Sequence, residues 1–146
     1  MLPIISIVIP TLREGPFLKR TLQNFDSLQI PHEIIITDGG STDETLDVAR
    51  AYTNKIVVWG EPRRQTFGEA KNAGTALATG AYIVCIDADV IIPEPQKFFE
   101  EMLSAFDKNK KLVAMTVPLK PWLENKSWID ALFSAPLNWF YIISNN

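Results

Sequence analysis

The sequence predicts an α/β sandwich, a mostly parallel central sheet with helices on both faces. Three observations predict it. Five short runs rich in Ile and Val lack polar alternation, as strands covered on both faces do. Segments with apolar residues at helical spacing separate these runs. No repeat or low-complexity linker interrupts the alternation, which is the pattern of βαβ units with right-handed crossovers.

The first strand is expected from Ile4 to Ile9, ending on Pro10-Thr11. A helix follows, because Phe17, Leu18, Thr21, Leu22, Phe25 and Leu28 recur at i, i+3/i+4 spacing. The second strand, Glu33 to Thr37, ends on Asp38. Ser41-Thr-Asp-Glu44 then reads as a capping box opening the second helix, with Glu44 reaching back to the Ser41 amide. Lys55 to Trp59 is the third strand, and a helix from about Gly68 to Thr79 follows, with Gly80 suited to a left-handed C-cap. Tyr82 to Ile86 is the fourth strand. The next helix starts near Pro93 to Pro95, where proline suits a first turn, and turns Phe98, Phe99, Met102, Leu103 and Phe106 inward. Leu112 to Val117 is the fifth strand.

Composition narrows the function. The chain has 146 residues, one domain's worth, and its 47% hydrophobic and 21% charged residues are ordinary for a globular protein. A net charge of -3 argues against a dedicated nucleic-acid binder, which is usually basic. The single cysteine, Cys85, falls inside an expected buried strand and reads as a small apolar side chain. The N-terminus, Met1-Leu-Pro-Ile-Ile-Ser6, lacks a basic, cleavable signal pattern, so a cytoplasmic setting is expected, with the inner face of a membrane as its extension.

Asp87-Ala88-Asp89 is the most informative tripeptide. It places two carboxylates one residue apart where a buried strand ends. Such charge suits a hard divalent cation, Mg²⁺ or Mn²⁺, which takes oxygen ligands and bridges carboxylates to substrate phosphates. A solvated turn is the plainer alternative. If the strand order is 3-2-1-4, Pro10-Thr11, Asp38 and Asp87/Asp89 converge on one edge, where open α/β sheets bind ligands. Gly39-Gly40 allow a tight turn there. Asp38 reads as a ligand-facing carboxylate, and Asp43 as a favourable charge in a helix's first turn. Arg63, Arg64 and Lys71 bring cations for phosphate contact, although Arg63 reads better as solvated surface. No Gly-x-Gly-x-x-Gly or Walker loop is present, so phosphate handling falls to the metal and these cations.

Four segments then carry a resemblance. Ser6-Ile-Val-Ile-Pro-Thr11 with Glu14, Ile34-Ile-Ile-Thr-Asp38-Gly-Gly-Ser-Thr-Asp43, Ala70-Lys-Asn-Ala-Gly74 and Ala78-Thr-Gly-Ala-Tyr-Ile-Val-Cys-Ile-Asp87-Ala-Asp89 resemble family 2 glycosyltransferases over roughly residues 4–92. The resemblance implies the GT-A nucleotide-binding sandwich and inverting transfer of a sugar from a nucleotide-diphospho donor. A UDP-sugar is expected ahead of GDP-mannose, with a glycan or lipid-linked acceptor. It implies that Pro10, Thr11 and Glu14 line the base pocket and that Asp38 binds the base. Lys71 would contact base or phosphate. Asp87 would contact the ribose or join the metal shell, Ala88 would line the donor site, and Asp89 would bind the diphosphate-bridging Mn²⁺ or Mg²⁺.

The sequence also departs from the family. Arg13 stands where an Asn is common, and Gly39 where a second acidic residue often follows Asp38. The family's catalytic base lies well downstream, in an acceptor-binding half, and no later carboxylate matches it; none is assigned. Residues 1–120 are therefore read as the nucleotide-sugar-binding core. Residues 121–146 are read as an apolar, aromatic-rich segment. That segment is expected to be a helix that packs on an acceptor half or on a second copy. Its Trp and Tyr residues also suit a membrane surface. Two other classes stay open: a nucleotide-sugar-binding fragment without turnover, and a sugar-phosphate nucleotidyltransferase. The latter expects more glycines than Leu12-Arg-Glu-Gly-Pro16 supplies.

Overall fold

The computed structural model describes residues 3–118 and 139–144. Its elements run β1 (Ile5–Thr11), α1 (Gly15–Gln23), β2 (His32–Asp38), α2 (Thr45–Tyr52), β3 (Ile56–Val58), α3 (Phe67–Thr75), β4 (Tyr82–Cys85), α4 (Pro95–Lys108), β5 (Ala114–Pro118) and β6 (Trp139–Ser144). They form one sheet of order β3-β2-β1-β4-β6-β5. The pairs β1–β2, β1–β4 and β2–β3 are parallel, which gives the expected 3-2-1-4 order. Every residue of β1 is buried, as its unbroken apolar run requires of a central strand.

Alternation along β1 sends Ile5, Ile7 and Ile9 to one face and Val8 to the other. On the first face they join Leu18 and Leu22 of α1, Ala49 of α2, and Phe99, Met102 and Phe106 of α4. Phe25 and Phe98 pack their rings against Phe99 with centroids 6.2 and 5.2 Å away. On the second face, α3 lies directly on the strands. A Cβ added to Gly74 would stand 2.3 Å from Val8 Cγ1 and 3.1 Å from Thr37 Cγ2, so only glycine permits this approach.

The edge of the sheet opposite the candidate site carries a polar clamp. Glu33 accepts hydrogen bonds from Ser6 Oγ (2.5 Å), Thr79 N (2.6 Å) and Thr79 Oγ1 (3.0 Å), and pairs with the Lys55 ammonium. Burial alone would raise the carboxyl's pKa. The Lys55, Ser6 and Thr79 contacts outweigh it and hold Glu33 at about 2.

Several expectations are corrected. Trp139–Ser144 is not helical; it is a strand, antiparallel to both β4 and β5 and inserted between them. Trp-Phe-Tyr-Ile-Ile is aromatic and β-branched, the composition that favours a pleated surface. The boundary expected at residue 120 thus divides a single sheet, while residues 119–138 lie outside the described ones. The capping box at Ser41 does not form: α2 starts at Thr45, and Ser41 bonds to Asp38. The capping box lies at α3, where Thr66 Oγ1 accepts from Glu69 N and Glu69 accepts from Thr66 N. Helix α3 ends at Thr75, and Gly80 is not left-handed; among the described glycines only Gly40 is, at φ 92°. Gly80 instead donates its amide to Ser6 Oγ at 2.9 Å. Phe17 is 57% exposed and takes no place in the core.

Candidate functional site

A cleft of about 260 Å³ opens at the carboxyl ends of β1 and β4. The end of β1 supplies Pro10 and Thr11, the loop after it Leu12 and Glu14, and the loop after β4 Asp87, Ala88 and Asp89. Gly39 contributes from the loop after β2. Arg64, Gln65, Thr66, Phe67 and Ala70 close the remaining side from the start of α3 and the residues before it. Of the residues expected from sequence, the cleft brings together Pro10, Thr11, Glu14, Asp87, Ala88 and Asp89.

Two expected residues are not in its wall. Asp38 is fully buried behind Thr11, with its carboxylate bonded to Thr11, Gly40 and Ser41. Lys71 is half-buried on α3 and acts electrostatically on the Cys85 thiol, which burial pushes up.

The Asp-Ala-Asp loop is anchored by α1. Thr21 Oγ1 contacts the carbonyl oxygens of Ala88 at 2.7 Å and Val90 at 3.0 Å. Asn24 Nδ2 donates to Ile92 O at 2.9 Å, and Asn24 Oδ1 accepts from Ile92 N at 2.8 Å. Sequence reasoning counted Thr21 only as part of an apolar stripe and passed over Asn24. A hydroxyl on a buried helix face was the available signal, since a buried hydroxyl needs a partner.

The far wall is also held in place. Trp59 Nε1 donates to Arg63 O at 2.8 Å, and the Arg63 guanidinium lies 4.9 Å from the Trp59 ring centroid. Arg63 also forks onto Glu69 at 2.5 and 3.0 Å. Arg63 is therefore engaged within the wall, and Arg64 is the arginine that lines the cleft. Sequence reasoning missed Gln65, Thr66 and Phe67; Ala70 falls in the Ala70-Lys-Asn-Ala-Gly74 segment but was given no role, and the one available signal was the Thr66-Phe-Gly-Glu69 capping pattern.

The cleft is electrostatically negative around Glu14. Burial, then Asp89, then Asp43 push the Glu14 carboxyl above its ordinary value. Among the described residues no three His, Cys, Asp or Glu side chains gather into a metal-binding group. Mg²⁺-type sites need no such group, because one or two carboxylates commonly share the ion with substrate phosphates. Asp87 and Asp89 in one wall, beside a carboxyl raised by burial and then by Asp89 and Asp43, suit a divalent cation of that kind.

A mostly parallel sheet with a cleft at the carboxyl ends of its central strands, walled by two aspartates, is the α/β sandwich of the GT-A type that the resemblance implied. Residues 6–145 match the profile of "Glycosyl transferase family 2", and the chain belongs to that family. Among curated relatives, it is 33% identical over 130 residues to poly-beta-1,6-N-acetyl-D-glucosamine synthase of Staphylococcus epidermidis, covering 86% of this chain and 30% of that protein. It is also 33% identical over 116 residues to a Methanococcus voltae dolichyl N-acetyl-alpha-D-glucosaminyl phosphate 3-beta-D-2,3-diacetamido-2,3-dideoxy-beta-D-glucuronosyltransferase, covering 73% of this chain and 35% of that one. The chain thus spans about a third of the length of these relatives. Glucosyl-3-phosphoglycerate synthase from Mycobacterium tuberculosis, solved with UDP, shares the fold with a TM-score of 0.70 at 23% identity, over 97% of this chain and 57% of that one. A mannosyltransferase from Pyrobaculum calidifontis, solved with GDP-Man and Mn²⁺, does so with a TM-score of 0.66 at 22% identity, over 81% and 37%.

Proposed function

We propose that this chain holds a nucleotide-diphospho-sugar in the cleft between β1 and β4, as the donor of an inverting, metal-assisted glycosyl transfer. The observation that carries the reading is the cleft itself, where Glu14, Asp87 and Asp89 stand with Arg64 at the carboxyl ends of the central strands. Pro10, Thr11 and Glu14 would meet the nucleoside, and Asp87 with Ala88 the ribose. Asp89, with Asp87, would hold Mn²⁺ or Mg²⁺ against the diphosphate. Such an ion supplies charge neutralisation for the departing diphosphate. Arg64 adds a second positive group on the facing wall, with the planar fork that suits phosphate oxygens. In the transfer, the acceptor oxygen bonds to the anomeric carbon from the face opposite the diphosphate, and the glycosidic C–O bond to phosphate breaks. The nucleoside diphosphate leaves with the electron pair. A hydroxyl acceptor must also give up a proton to a base, whereas an ionised lipid phosphate needs none.

The named relatives support transfer over binding alone, since each is named as a synthase or transferase. One of those names includes a dolichyl-linked sugar phosphate, which supports a lipid-linked acceptor. No described helix is long and apolar enough to cross a membrane. Calorimetry with UDP and with GDP, each with and without Mn²⁺, tests the reading on this chain and on Asp89→Ala. Binding of one nucleotide that requires Mn²⁺ and is lost in the variant is the expected result. Equal binding by the variant, or none by either protein, would overturn it.

A further inference from the structure

Asp38 ends β2 at a point where a carboxylate could face a ligand, yet it is 0% exposed. Each of its oxygens is used twice by the protein. Oδ1 accepts from Gly40 N at 2.9 Å and Ser41 N at 2.7 Å, and Oδ2 accepts from Thr11 Oγ1 at 3.0 Å and Ser41 Oγ at 2.6 Å. An ionised carboxylate offers about four lone-pair sites, so this set fills them.

The bonds continue toward the cleft with a fixed direction. Ser41 has one hydroxyl proton, and a carboxylate can only accept it. The Ser41 oxygen is left as an acceptor, and it takes the Arg13 amide at 2.8 Å. Arg13 has φ 58°, a left-handed conformation that a non-glycine residue adopts only when held. The next amide, Glu14 N, donates to Thr45 Oγ1 at 2.9 Å, and the Thr45 hydroxyl is in turn bound by Asp43 at 2.6 Å. Two hydroxyls, each oriented by a carboxylate, therefore pin the turn that brings Leu12 and Glu14 into the cleft wall.

We propose that Asp38 is a positioning residue that touches no part of the donor: it orients Thr11 and, through Ser41, the Arg13–Glu14 turn. The inference rests on the donor-cleft reading above. Its consequence is that Asp38 does not choose between nucleobases; the choice falls to the residues in the wall.

Asp38→Asn and Ser41→Ala test this in the 146-residue chain. A side-chain amide accepts at one atom only, so Asp38→Asn removes half of the bonds that the carboxylate accepts. In the ligand-free chain, the Arg13 amide should exchange with solvent roughly tenfold faster in both variants. Calorimetry with UDP and GDP in Mn²⁺ should show both nucleotides weakened about fivefold by either variant, with their ratio unchanged. The double variant should bind no more weakly than Asp38→Asn, because the two residues act along one line of bonds. If Asp38→Asn cannot fold, the half-buried Ser41 carries the test alone, with the same faster exchange and the same weakening. Three results would overturn the inference. One is a UDP/GDP ratio that shifts tenfold or more in Asp38→Asn while Ser41→Ala binds as wild type. Another is an Arg13 amide unchanged in Ser41→Ala. The third is additive losses in the double variant. Wild-type chain that binds neither nucleotide would instead refute the donor reading, and the Arg13 exchange would still decide the positioning role.

Discussion

Replacing Glu33 by Gln removes the charge from the clamp that joins β1, β2 and the turn before β4, while keeping the side chain's shape. Glu33 is 12% exposed and is held at about 2, against an ordinary value of 4.5. Each factor of ten in proton affinity is about 1.4 kcal/mol, so the charged form stabilises the fold by at most about 3 kcal/mol. Lys55 is 34% exposed, and screening at that end lowers the expectation to about 1–2 kcal/mol. The sign follows from the direction of the displacement. A carboxyl lowered on folding contributes its full stability above the unfolded value near 4.5, and loses it as the pH falls toward 2. Urea unfolding of wild type and Glu33→Gln at pH 7, 5, 4 and 3 isolates the effect, because the other carboxyls titrate in both proteins. The wild type should lead by about 1–2 kcal/mol at pH 7 and 5, with the lead shrinking steadily at pH 4 and 3. A difference that stays constant across this range would refute the reasoning, because it would mean that the charge of Glu33 contributes nothing beyond its shape.

Two further outcomes follow from the packing and the cleft. Gly74→Ala drives a methyl against Val8 and Thr37 in the buried layer between α3 and the sheet, and should cost about 1–3 kcal/mol by thermal or urea unfolding. Arg64→Ala should weaken UDP binding in Mn²⁺ roughly tenfold and leave the affinity for uridine unchanged, since the guanidinium is assigned to the phosphates. Equal losses for nucleotide and nucleoside would move Arg64 to the base.

The central strands were legible because their apolar runs and terminal turn residues are local signals. Ile4–Ile9 and Tyr82–Ile86 read as buried strands from composition alone, and their polar ends pointed to the cleft, although Ile4 itself lies outside β1 and is exposed. What escaped depends on partners distant in sequence. β6 pairs with Tyr82–Cys85 some sixty residues upstream, and nothing in Trp139–Ser144 says that it enters the sheet antiparallel, between β4 and β5. Ser41-Thr-Asp-Glu44 satisfies the capping pattern, but Asp38 captures Ser41 first, so the helix begins later, at Thr45. The reading of Asp38 as ligand-facing had the same weakness. Its burial is decided partly by Thr11, which lies 27 residues upstream.

The two ends of the sheet treat the same kind of side chain in opposite ways. Both Glu33 and Glu14 are partly withdrawn from water, and burial raises each. At Glu33 the fold supplies an ammonium, two hydroxyls and an amide, and the carboxyl falls to about 2. At Glu14 the causes that add to burial are two further carboxylates, and the carboxyl rises. A chain selected for stability alone would not gather Asp43 and Asp89 around a half-buried Glu14, since like charges destabilise a folded state. The clamp shows that the same fold can compensate a carboxylate when compensation serves stability. Burial and two neighbouring carboxylates left uncompensated at Glu14 are what the proposed donor reading expects, since there a divalent cation would arrive with the ligand.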